Sequence, residues 1–272
     1  MNRYIYIIFT SLLILSSCEE VIEIDLNSAS PELVIEATIY QDSVCIARLT
    51  RTVNYFSTEY PDFVEDATVS IQDGNISEEL TYSGNGFYRG NLIIGTPGLS
   101  YEIVIEHNGT TYSASSSMPP ETEITLLSYS KSNEQSILNP EGKTGFTISF
   151  SFIDDPLEDN FYMISYTEEG NMIERRYFML TENSNNGGSL EYTDPDIFRF
   201  SEFIFYNGGI VDVKLFTMDE SVYNYFFQLD DILFWKRRYL PPVPYNPLSN
   251  FSNGALGYFA AWNYDTETIV LE

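Results

Sequence analysis

Apolar and polar positions alternate with a period of two over much of the chain, which sends successive side chains to opposite faces of an extended strand and predicts a mainly β protein. Leu33, Ile35, Ala37 and Ile39 share one face, and Val34, Glu36, Thr38 and Tyr40 the other. The apolar run Val44-Cys45-Ile46-Ala47-Arg48-Leu49 reads as a second strand. Ala67, Val69 and Ile71 mark another, and Leu99, Tyr101, Ile103 and Ile105 one more, with Glu102 and Glu106 on its reverse. Asp73-Gly74-Asn75, Ser83-Gly84-Asn85-Gly86, Thr96-Pro97-Gly98 and Asn108-Gly109 supply the turns. Strands at this spacing predict an immunoglobulin- or fibronectin-like sandwich over residues 31–119. Tyr101, starting a strand after Gly95-Thr96-Pro97-Gly98, fits the corner at which a tyrosine hydroxyl bonds back to nearby backbone.

Two prolines cannot continue a strand ladder, so Met118-Pro119-Pro120-Glu121 predicts a boundary and a second β-rich domain over 120–272. Phe146, Ile148, Phe150 and Phe152 give its cleanest alternation. Further strands are expected at Phe161–Thr167, Ile173–Leu180, Ile210–Thr217 and Gly257–Asn263, with a flexible loop through Asn183–Gly188. One amphipathic helix is expected near 219–237. Asp219 or Ser221 caps it, Val222, Phe226, Leu229 and Leu233 form its apolar stripe, and Lys236, Arg237 and Arg238 suit the negative end of its dipole. The stripe is expected to pack on the second sheet. Tyr239 to Pro247 is too proline-rich for a strand and forms a stiff connector.

The first residues address the compartment. Arg3, the apolar run Tyr4–Phe9 and Leu12–Leu15 form the charged and hydrophobic regions of a signal peptide over 1–17, too short for a spanning helix of about 20 apolar residues. Leu15-Ser16-Ser17-Cys18 resembles the lipobox of bacterial lipoproteins, which implies cleavage before Cys18 and lipidation of that residue. Two or three acyl chains, at about 0.8 kcal/mol per buried methylene, make a stable anchor, with residues 18–30 as a tether. Glu19 and Glu20 resemble the acidic signal that sends such lipoproteins to the cell surface, the periplasmic face being the alternative.

Charge and residue inventory then narrow the chemistry. A net charge of −27 repels phosphate backbones and excludes nucleic acid as a partner. Of two cysteines Cys18 takes the lipid, so no disulfide forms, and Cys45 lies in an apolar run as a small buried hydrophobe. His107 is the single histidine and adjoins the Asn108-Gly109 turn, which leaves no material for a serine triad or a histidine metal site. No cofactor motif and no catalytic residue is expected, although paired carboxylates in a glycoside hydrolase would need no histidine. Asp154, Asp155, Glu158 and Asp159 offer hard oxygen ligands to calcium, though not at EF-hand spacing, and a solvated acidic loop is the favoured reading of them. Asp42-Ser43-Val44 resembles the O-glycosylation sequon of Bacteroidota envelope proteins, with Ser43 as acceptor. Trp235, Tyr239, Tyr245 and Trp262 are the candidate ligand or partner contacts, unless core packing claims them.

Cys18-Glu19-Glu20-Val21, Pro31-Glu32-Leu33-Val34-Ile35, Gly86-Phe87-Tyr88, Gly98-Leu99-Ser100-Tyr101, Asn246-Pro247, Ser249-Asn250, Asn253-Gly254 and Gly257-Tyr258-Phe259 together resemble Bacteroidota lipoproteins bearing domain of unknown function 4249. The genes of such proteins tend to lie beside TonB-dependent outer-membrane receptors. The resemblance therefore implies a non-enzymatic accessory binding protein at the outer membrane, with a structural or adhesive envelope protein as the alternative.

Overall fold

The computed structural model describes residues 30–54, 60–132, 145–153, 160–168, 171–172, 178–181, 189–193, 209–235 and 245–272. The protein is mainly β, with sandwich-like packing and one α-helix among the described residues.

The first strands are β1 (Leu33–Tyr40), β2 (Val44–Arg51), β3 (Thr68–Gln72), β4 (Ser77–Glu79), β5 (Thr81–Gly84), β6 (Phe87–Ile94), β7 (Ser100–His107) and β8 (Thr110–Ser117). After Pro119-Pro120 come β9 (Ile124–Ser132), β10 (Gly145–Ile153), β11 (Phe161–Glu168), β12 (Asn171–Met172), β13 (Phe178–Thr181), β14 (Ser189–Thr193) and β15 (Ile210–Met218). The helix α1 (Glu220–Trp235) and the long strand β16 (Leu256–Val270) complete the order. One long sheet runs β12-β11-β15-β16-β1-β2-β6-β5, with β13 also on β11; the others are β4-β3-β7-β8 and β14-β10-β9.

Alternation explains the layers. Leu33, Ile35, Ala37 and Ile39 of β1 meet Val69 and Ile71 of β3 and Tyr101, Ile103 and Ile105 of β7 in the first core. Phe146, Ile148, Phe150 and Phe152 of β10 meet Tyr162, Ile164 and Tyr166 of β11 and Val211, Val213 and Leu215 of β15 in the second. The expected tyrosine corner is present: Thr96 N–H donates to the Tyr101 hydroxyl at 2.7 Å.

β16 joins the halves. It runs parallel to β1 over 256–262 and antiparallel to β15 over 263–270. On one face it gives Phe259 and Ala261 to the first core and Ile269 to the second, which Leu271 joins just past its end. The two cores thus divide close to Pro119, but residues 251–261 return to the first half because β1 needs a partner at its second edge. At the crossover Asn263 Nδ2 donates to the Pro119 and Pro120 carbonyls, and Asp265 accepts the Ile124 N–H at 2.7 Å, fastening the proline connector to the sheet.

The helix starts as its cap residue dictates. Asp219 Oδ1 accepts the Val222 N–H at 3.0 Å, while Oδ2 accepts the Ser117 N–H of β8 at 3.0 Å. Its stripe packs on the outer face of β11, β15 and β16, where Val222, Tyr223 and Phe226 meet Met163, Phe216, Met218, Ala260 and Trp262. Lys236–Arg238 and the Asn183–Gly188 loop lie outside the described residues, as does most of the strand expected at Ile173–Leu180.

Candidate functional site

The residues singled out for chemistry are scattered over the chain. Cys18, Glu19 and Glu20, the acidic run Asp154, Asp155, Glu158 and Asp159, and Tyr239 lie outside the described residues. Trp235 ends α1 with its side chain outside the description. Tyr245 is 42% exposed, whereas Trp262 is 3% exposed and is not a surface residue. The period of β16 turns Trp262 toward α1, where Tyr40 and Phe226 flank it with ring centroids 5.4 and 5.3 Å away. Ser43 is half-buried in the β1–β2 turn, its hydroxyl directed at the Val44 carbonyl.

His107 is held by structure. Arg51 can only donate, so its 2.8 Å contact makes Nε2 an acceptor and leaves the proton on Nδ1, 3.3 Å from Asp66. Asn108 Nδ2 donates to the same Nε2 at 2.9 Å. Cys45 is fully buried, and desolvation, aided by the Glu78 charge, pushes its thiol up to about 12. The thiolate is the reactive form, so a maleimide at pH 8 should leave the folded protein unlabelled at Cys45 and label it fully in denaturant. Rapid labelling of the folded protein there would contradict this burial.

A cleft of about 230 Å³ opens between the start of α1 and the returning chain, lined by Glu220, Ser221, Asn224, Leu248, Ser249 and Asn250. A second feature is a sheet face. Among the described residues α1 packs on the β11–β15–β16 part of the long sheet and leaves the outer face of β1, β2 and β6 uncovered. Cross-strand register sets its rows: Phe87, Arg48, Glu36 and Tyr258 in one, and Arg89, Ile46, Thr38 and Ala260 in the next. Ile94 and Val44 pair further along, and Ile94 is 45% exposed.

Aromatic rings frame this face. Tyr225 and Tyr258 stand 4.9 Å apart at the helix border, and burial followed by the Glu36 charge raises the Tyr225 hydroxyl pKa. Tyr40 meets Tyr264 edge to face at 5.8 Å, and Lys214 Nζ lies 4.7 Å over the Tyr264 ring. Arg48 is set between Phe87 and Phe63, with its Cζ 5.2 and 5.7 Å from their centroids. Arg48, Arg89 and Lys214 thus bring three cations to one side of a molecule whose net charge is −27.

The model of the family described as Domain of unknown function (DUF4249) matches residues 19–268. The chain belongs to the DUF4249 family. A search of curated proteins finds no match. The positions behind the family resemblance hold this DUF4249 fold together. Asn250 donates to the Phe259 carbonyl at 2.8 Å and accepts its N–H at 2.9 Å, standing in for a strand partner beside β16. Asn253, at φ 54°, donates to Thr111 O at 2.7 Å, and Ser252 Oγ accepts the Ser113 N–H at 2.8 Å, so the 252–254 turn covers the edge of β8. Sequence reading missed the open face, since Glu36, Arg48, Phe63, Phe87 and Tyr258 meet only through register. The one local signal was Arg48, a charge inside an apolar run.

Proposed function

We propose that this DUF4249 protein is a lipid-anchored outer-membrane lipoprotein, exposed at the cell surface, which serves as a non-enzymatic accessory binding protein to a TonB-dependent transporter. The open face of the long sheet carries this reading: its exposed apolar residues, framing rings and two arginines make a surface suited to protein contact. The lipobox-like Leu15-Ser16-Ser17-Cys18 and the acidic Glu19-Glu20 support the placement. Among the described residues no helix is long and apolar enough to cross a membrane.

Radioactive palmitate fed to a producing strain tests the anchor. The parent should incorporate label and sediment with outer membranes, and Cys18→Ala should do neither. An unlabelled parent, or a variant that stays in the membrane fraction as before, would overturn the placement.

A further inference from the structure

We propose that Arg48 and Arg89, on the open face of the long sheet, form a binding site for a single carboxylate carried on an apolar group. This deepens the binding reading of that face and rests on it.

Arg48 supplies the first observation. Among the described residues its buried Nε has no hydrogen-bond partner and its guanidinium makes no ion pair, although Glu36 stands directly across the strand pair. No arginine or lysine among the described residues is paired with a carboxylate. An arginine lacking a carboxylate in a chain of net charge −27 is unexpected, and a buried N–H without an acceptor is destabilising. An incoming oxyanion would give the guanidinium, through its terminal Nη groups, the charge partner it lacks.

Geometry makes the residue a receptor. Phe87 and Phe63 hold the guanidinium by cation–π attraction, and its two terminal Nη groups make the edge that one carboxylate can meet with two parallel hydrogen bonds. Arg89 pairs with Ile46, two residues from Arg48 along β2, and so lies diagonally across from Arg48 on the same face. Diagonal positions on adjacent strands are about 7–8 Å apart, within the reach of two arginine side chains. Arg89 is exposed and likewise forms no ion pair among the described residues.

Charge selects the ligand. Two guanidiniums and the Glu36 carboxylate leave one net positive charge, which a monocarboxylate neutralises. A phosphate dianion would leave a local excess of negative charge inside an already repulsive field. Ile46 between the arginines and the Phe87 ring beside them favour an apolar group next to the acid. The carboxylate could belong to a free small acid or to a side chain of the transporter.

Calorimetric titration of the purified full-length protein with phenylacetate tests the site. Saturable binding at about millimolar affinity is expected, with phenylacetamide and phenyl phosphate at least about tenfold weaker. Arg48→Gln should weaken phenylacetate by about tenfold, Arg89→Gln by about threefold, and Glu36→Gln should strengthen it by about threefold. The opposite signs at Arg89 and Glu36 keep the test decisive if Arg48→Gln fails to fold. Phenylacetate binding that is absent, that ignores all three substitutions, or that phenylacetamide equals would overturn the site. With the site upheld, Arg48→Gln in cells separates the sources: lost crosslinks to the transporter assign its carboxylate, and retained crosslinks assign a free acid. A missing transporter alongside intact phenylacetate binding would overturn the assigned partner and leave the site standing.

Discussion

Gly257→Ala should abolish folding or lower stability by more than about 4 kcal/mol, the largest effect expected of any single methyl added to this protein. Gly257 sits at φ +96° opposite Ile35, where β16 pairs in parallel with β1, and a Cβ there would overlap the Ile35 carbonyl oxygen. The strain and the overlap act together, because relieving either would separate the strands that unite the two cores. Gly109→Ala is the control. Its φ of +74° lies in a turn with nothing within 4 Å of the added carbon, so it should cost only about 1 kcal/mol. Denaturant melts of both variants check this, and equal midpoints would contradict the close approach at β1.

Glu78→Ala should be the second most damaging change, at about 3 kcal/mol or more, seen as a fall in Tm of roughly 10 °C. The Glu78 carboxylate is buried and accepts the backbone N–H groups of Asn91, Leu92 and Ile93 at 2.6, 2.5 and 2.8 Å. It stands in for the strand partner that β6 lacks where its pairing with β2 shifts register between Val44 and Ile46. Alanine would leave three donors facing the core side without an acceptor. A change in Tm of only one or two degrees would show that water satisfies these groups and that the carboxylate is dispensable.

Legibility in the sequence followed burial. β1, β7 and β10 each bury one whole apolar face, so their alternation was sufficient to find them. β8, Thr110–Ser117, is almost all hydroxyl side chains, and β4 is Ser-Glu-Glu; their partners across the sheet decide them, and composition does not. The latter half of β16 was missed because Tyr264, Thr266, Glu267 and Thr268 are exposed while β15 supplies its ladder. The helix and its Asp219 cap were readable because capping is local. Trp262 was misplaced for the opposite reason: nothing near it in sequence announces that α1 will cover that face. The candidate site was hidden in the same way, since its two rows draw on residues from 36 to 260.

The open face as a contact surface is the claim on which the functional account depends. A photo-crosslinking phenylalanine at Ile94, on that face, should capture a TonB-dependent outer-membrane transporter in intact cells on irradiation. The same probe at Ile153, 62% exposed on β10 of the second sandwich, should not. Capture from Ile153 and silence from Ile94, with both proteins folded and membrane-bound, would contradict it.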